Sequence, residues 1–199
     1  NTWWYYSHPW MDYLARCQYL MQQGPSVSDV LFWPGEVLPP IAEDYRKPLY
    51  RVPAGYDYDV CPTEVFLRLK VENGRVVAPS GVSHAYLALP GVNRISPALL
   101  VKVKELADAG ARLVAGPQPA AVMGLAGYPE ADRETARIGK ELWASGKLIT
   151  GKRIGEVFAA DGLKPDFEGE GLAYMHRRSG GRAAERSTTA SAWSIISVR

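Results

Sequence analysis

Two carboxylates and two phenol rings alternate in the segment "GYDYDV", where Asp57 and Asp59 stand beside Tyr56 and Tyr58. Side chains two residues apart point the same way in an extended chain, so both acids would face one ligand. A carboxylate pair flanked by aromatic rings could perform acid/base chemistry, hold calcium or bind sugar hydroxyls. The alternative is a local role, in which short acids accept hydrogen bonds from nearby backbone amides.

Two further acids are candidates for the same chemistry. Glu36 ends the stretch "SDVLFWPGE", in which an apolar run leads directly into Pro34, Gly35 and the acid. Glu64 stands at the start of a short helix predicted over residues 63–66. Each also has a structural interpretation: Glu36 could cap a nearby helix or pair with an arginine, and Glu64 could interact favourably with a helix dipole.

Three apolar segments are predicted to be strands, and all three end at a turn that contains proline and glycine. The turns are Trp33-Pro34-Gly35, Leu89-Pro90-Gly91 and Ala115-Gly116-Pro117. A helix is predicted between the second and third strands, with Ser96 as its capping residue, Pro97 at its first position and Gly110 at its end. Strand, helix and strand in succession imply a right-handed crossover and a mainly parallel sheet.

Ligands of such sheets gather beyond the carboxyl ends of the strands, where the strand order reverses. Polar residues that follow the predicted strands are therefore candidates for substrate binding, and three aromatic residues could stack on a sugar ring. The predicted binding residues are Asn93, Arg94 and Gln118, with Trp33, Tyr56 and Tyr58 as the aromatic set, while Glu36 is expected on the same edge.

The remaining segments complete a predicted α/β domain with a mainly parallel sheet, a β-hairpin and an irregular C-terminal tail. Asn73-Gly74 supplies the backbone angles of a tight hairpin turn. Helical spacing over residues 10–23 and 129–147 predicts two further helices. The predicted division is a helical lead-in over 1–27, the α/β domain over 28–177 and a poorly ordered tail over 178–199, where Gly, Ser, Thr, Ala and Arg dominate.

Composition excludes several classes of function. The 199 residues are 47% hydrophobic and carry a net charge of +2, which gives no argument for nucleic acid or an anionic membrane as a partner. No apolar run approaches the roughly 20 residues of a membrane span. Two cysteines and three scattered histidines show no metal-ligand spacing. No metal or cofactor is expected. The first residues lack the basic start, apolar stretch and cleavage site of a signal peptide, so none is expected, and no localisation is predicted.

Several ordered segments together resemble a known family. They are "TWW", "DYLARCQYLMQQGPSVSDVLFWPGE", "GYDYDVCPTEVF", "YLALPGVNRISPALLVKVKELADAGARLVAGPQP" and "ELW", which span roughly residues 1 to 177. This pattern resembles the glycoside hydrolase family 106 α-L-rhamnosidases and their large bacterial relatives. The resemblance implies that the "DYLAR" helix leaves the end of a catalytic (β/α) barrel and leads into a flavodoxin-like or glutamine-amidotransferase-like domain. The α/β domain is therefore expected to be a flavodoxin-like three-layer sandwich with a mainly parallel sheet.

The resemblance also implies that the family's catalytic acids belong to the barrel, which we expect to precede residue 1 in a longer protein. The resemblance therefore assigns no catalytic residue to this chain. Three functions therefore remain open: an accessory domain of a rhamnosidase-like enzyme, a small glycosidase that uses its own carboxylates, and a sugar-binding module. A carbohydrate is the expected ligand in each case. An apolar face that packs against the barrel would drive self-association of the chain alone.

Overall fold

The computed structural model describes residues 2–36, 51–89, 94–169, 172–178 and 192–198. Asn93, one of the predicted binding residues, lies outside these ranges. The helices are a 3-10 helix at Thr2–Tyr6 and the α-helices α1 (His8–Met21), α2 (Thr63–Phe66), α3 (Pro97–Asp108), α4 (Glu130–Ala144) and α5 (Ile154–Ala160). The strands are β1 (Val30–Phe32), β2 (Tyr58–Val60), β3 (Lys70–Glu72), β4 (Arg75–Val77), β5 (Ser83–His84), β6 (Tyr86–Leu89), β7 (Leu113–Ala115), β8 (Leu148–Thr150), β9 (Leu172–Arg178) and β10 (Ala192–Val198).

Five strands form one sheet in the order β2-β1-β6-β7-β8, and every neighbouring pair in it is parallel. Counted along the chain, this is the order 2-1-3-4-5 of the flavodoxin-like doubly wound sheet. The strand order reverses between β1 and β6, so these two strands flank the switch point. The mixed α/β fold with a mainly parallel sheet is thereby confirmed.

Both faces of this sheet are buried, as a parallel sheet with crossover helices requires. Alternate residues of the central strands enter two separate apolar clusters. Helices α3 and α4 cover one face, and α5 covers the other, which produces three layers. The first cluster takes Leu31, Trp33, Leu87, Leu89, Leu113 and Ala115 from the strands, and the second takes Val30, Phe32, Tyr86, Ala88 and Val114.

Strands β3, β4 and β5 form a separate antiparallel sheet. The turn between β3 and β4 has positive φ at both central residues, 52° at Asn73 and 75° at Gly74. Those angles match the right-handed twist of the flanking strands. The predicted hairpin is confirmed at its predicted turn.

The two edge strands of the parallel sheet, β2 and β8, were not among the predicted strands. Each has three residues and only partial burial, so neither shows the continuous apolar run that marks the central strands. Tertiary pairing with β1 and β7 makes them strands. The alternation of polar and apolar side chains in β2 was noted in the sequence for its chemistry, and it is equally the signal of an edge strand.

Chain contacts divide the molecule into two compact units, Ser28–Pro165 and the combination of Asn1–Val27 with Asp166–Arg199. The first unit holds the parallel sheet and the hairpin sheet. It ends at Pro165, whereas the predicted α/β domain extends to residue 177. In the second unit β9 and β10 pair antiparallel, so residues 192–198 of the tail predicted to be poorly ordered form a strand.

Helix α1 belongs to the second unit and contains no buried residue. Its apolar side chains recur at helical spacing and share one face, yet Trp10 is 58% exposed and Leu20 is 50% exposed. The 3-10 helix before it adds exposed Trp3 and Trp4. Among the described residues, no helix is long and apolar enough to span a membrane.

We expect the isolated chain to self-associate through the apolar face of α1, because association would remove that face from water. Light scattering after size-exclusion chromatography should show a mass that rises with concentration. Replacing Trp10 and Leu20 together by serine should return a monomer, whereas Val101→Ser, at an exposed apolar position of α3, should change nothing. A clean monomer of the unmodified chain at high concentration would contradict this expectation.

Candidate functional site

The four carboxylates predicted to do chemistry are divided between opposite ends of the parallel sheet. Glu36 follows β1 and Glu64 follows β2, so both lie beyond the carboxyl ends of the strands. Asp57 precedes β2, and Asp59 in the middle of β2 bonds to residues that precede β1 and β6. The structure therefore does not bring the four acids together.

Glu36 is bound to the first turn of α3. The backbone N–H of Ser96, the residue before this helix, donates to Glu36 Oε2 at 2.5 Å. In many helices a glutamate inside the first turn takes this position, but here the residue at that place is Leu99 and cannot accept. The carboxylate of Glu36 serves instead, and it also places negative charge at the positive end of α3. The helix-capping interpretation of Glu36 is confirmed.

This contact bridges the switch point of the sheet. Glu36 comes from the loop after β1, and Ser96 from the segment after β6, so the bond joins the two strands that flank the reversal of order. In doubly wound folds an anionic group of a ligand commonly occupies such a helix end. Here a side chain of the protein occupies it. Ser96 itself makes no side-chain cap on α3.

Trp33 lies in the apolar core and not at the edge. It is 0% exposed, and its ring stacks on Phe66 with centroids 4.1 Å apart. Its Nε1 donates to Thr63 Oγ1 at 3.3 Å, which ties the end of β1 to α2. The ring is fully buried and already stacked on Phe66, so this placement does not suit a ring that stacks on a ligand. Glu64, in the same short helix, is exposed.

Asp59 forms the centre of a polar cluster with Ser28 and His84. Ser28 Oγ donates to Asp59 Oδ2 at 2.6 Å, and His84 Nε2 lies 2.9 Å from the same oxygen. An ionised carboxylate can only accept, so Nε2 carries the proton of the ring. The histidine is 1% exposed, and its Nδ1 has no hydrogen-bond partner among the described residues.

The hydrogen bond from His84 lowers the pKa of Asp59 below its ordinary value, with a smaller contribution from Ser28, while burial acts in the opposite direction. Asp59 is therefore a firmly ionised acceptor. This state suits a structural anchor and not a proton donor, because a general acid needs a raised pKa. Ser, Asp and His are all present, but the histidine does not bridge the other two as it does in a nucleophilic triad.

Asp57 makes a local contact. Its Oδ1 accepts a hydrogen bond from the backbone N–H of Tyr58 at 2.8 Å, which is the capping alternative considered in the sequence. The two tyrosines of the segment also pack within the unit. Tyr56 donates its hydroxyl to Leu163 O at 2.8 Å, and Tyr58 meets Phe32 edge to face.

Arg94 and Gln118 are exposed beyond the carboxyl ends of β6 and β7, as predicted. Arg94 Nη1 donates to Val122 O at 3.3 Å. Gln118 packs against α4, with its Cγ 3.5 Å from the position that a β-carbon would take at Gly139. Arg94 and Gln118 therefore share one edge of the sheet but contact different parts of the segment that leads into and along α4.

A second polar cluster, which the sequence analysis missed, lies at the amino ends of β6 and β7. Tyr86 donates its hydroxyl to Asp161 Oδ2 at 2.5 Å, Arg112 pairs with the same carboxylate, and the guanidinium also lies over the Tyr86 ring. Burial raises the pKa of Tyr86, and the hydrogen bond to Asp161 adds to that effect. The three residues are 26 to 75 positions apart, so no local pattern in the sequence could have revealed them.

Cys61 follows β2 and is buried, and burial raises the pKa of its thiol to about 12. A thiol in that state is not a nucleophile at neutral pH. Within the described ranges, no three His, Cys, Asp or Glu side chains are grouped so that they could hold a metal ion.

The parallel sheet in the order 2-1-3-4-5, with the four candidate acids divided between its two ends, characterises a doubly wound α/β protein. The model of the α-L-rhamnosidase family, glycoside hydrolase family 106, matches residues 1–184, and the chain belongs to that family. It is similar to the solved rhamnosidase of Novosphingobium sp. PP1Y, with a TM-score of 0.76 and 29% identity over 89% of this chain and 18% of that one.

A curated relative agrees with this family membership. It is the Formosa agariphila protein named "Putative beta-glucuronidase", to which this chain is 33% identical over 184 residues. The match covers 90% of this chain but 15% of the relative. The chain therefore spans about a sixth of the length of these two proteins.

Replacing Glu36 tests its role at α3. Glu36→Ala should lower the free energy of unfolding by about 1–2 kcal/mol, because the amide of Ser96 loses its acceptor. Glu36→Gln keeps an oxygen in place and should cost less than about 1 kcal/mol. Urea denaturation measures both values. Equal losses for the two variants would mean that the charge, and not the hydrogen bond, makes the contact.

The lowered pKa of Asp59 predicts a dependence of stability on pH. An acid whose folded pKa lies below its unfolded value of about 3.9 stabilises the fold fully above that value, and the stabilisation is lost as the pH falls through the folded pKa. Between about pH 5 and pH 2 the free energy of unfolding should therefore fall less steeply for Asp59→Asn than for the unmodified chain. Asp12→Asn, at an exposed acid of α1, should leave the slope unchanged. Parallel slopes for Asp59→Asn and the unmodified chain would refute this assignment.

Proposed function

We propose that this chain is the α/β part of a glycoside hydrolase that cleaves α-L-rhamnosides, and that it supports the carbohydrate site of a longer protein without supplying the catalytic carboxylates. One observation carries the proposal. Two of the acids that the sequence proposed as catalytic are used in hydrogen bonds within the fold. Glu36 accepts from the amide of Ser96, and Asp59 is bonded to His84 and Ser28.

A glycosidase needs two carboxyl groups on either side of one glycosidic bond, about 5–5.5 Å apart for retention or about 6.5–9.5 Å for inversion. One of them must hold a proton near neutral pH. The pKa of Asp59 is lowered and not raised. Asp57 accepts a hydrogen bond from the backbone N–H of Tyr58. Family membership supports the reaction, and the small share of the relatives that this chain covers supports a division of labour within a longer protein.

Hydrolysis of 4-nitrophenyl glycosides, including the α-L-rhamnoside, tests the proposal. The purified chain should release no more nitrophenol than a mock preparation from cells that lack its gene. Glu36→Gln, Asp57→Asn and Asp59→Asn should give the same background. Activity that copurifies with the chain and falls at least about a hundredfold in one variant would overturn the proposal and establish a self-contained enzyme with a known acid.

A further inference from the structure

We draw no further inference here: the strongest candidate, the exposed aromatic patch that the 3-10 helix at Thr2–Tyr6 and helix α1 present, carries no proposal because nothing in the part of the chain that the structure describes shows what covers it.

Discussion

The parallel arrangement of five short strands constrains everything else in the α/β unit. Parallel neighbours cannot be joined by tight turns, so the chain must cross over between them, and the crossover helices cover both faces with apolar contacts. Because both faces are apolar, polar and ionisable groups of the sheet lie at its two ends. Every candidate acid of the unit, and both polar clusters, lies at or near one of these ends.

The two ends differ in character. At the amino ends, buried side chains such as His84 and Tyr86 are paired with carboxylates, and the bonds connect segments that are distant in sequence. That arrangement fastens edge strand β2 and helix α5 to the centre of the sheet. At the carboxyl ends, Glu36 bridges the switch point through the amide of Ser96, and the side chains of Arg94 and Gln118 are exposed. One end stabilises the unit, and the other presents a surface.

Local patterns in the sequence were sufficient for the central strands and for the hairpin turn at Asn73-Gly74. They also gave helix capping as one structural interpretation of Glu36, although only the structure identifies that helix as α3. They could not predict whether Trp33 is buried, because an aromatic residue at the end of a strand gives the same sequence pattern whether it packs in the core or contacts a ligand. They also could not pair His84 with Asp59, 25 residues away, since only the parallel register of β1, β2 and β6 brings these side chains together. Long-range pairing, and not composition, decided which candidate acids were engaged.

The burial of Cys61 has a practical consequence for spectroscopy. With a pKa of about 12, its thiol is ionised at pH 8 in only about one molecule in ten thousand, so it reacts very slowly with maleimides and iodoacetamides. Cys17 is partly exposed on α1 and is the other cysteine of the chain. The sequence is thus suited to attachment of one fluorophore or spin label on α1, the helix with the exposed apolar face, without removal of any residue.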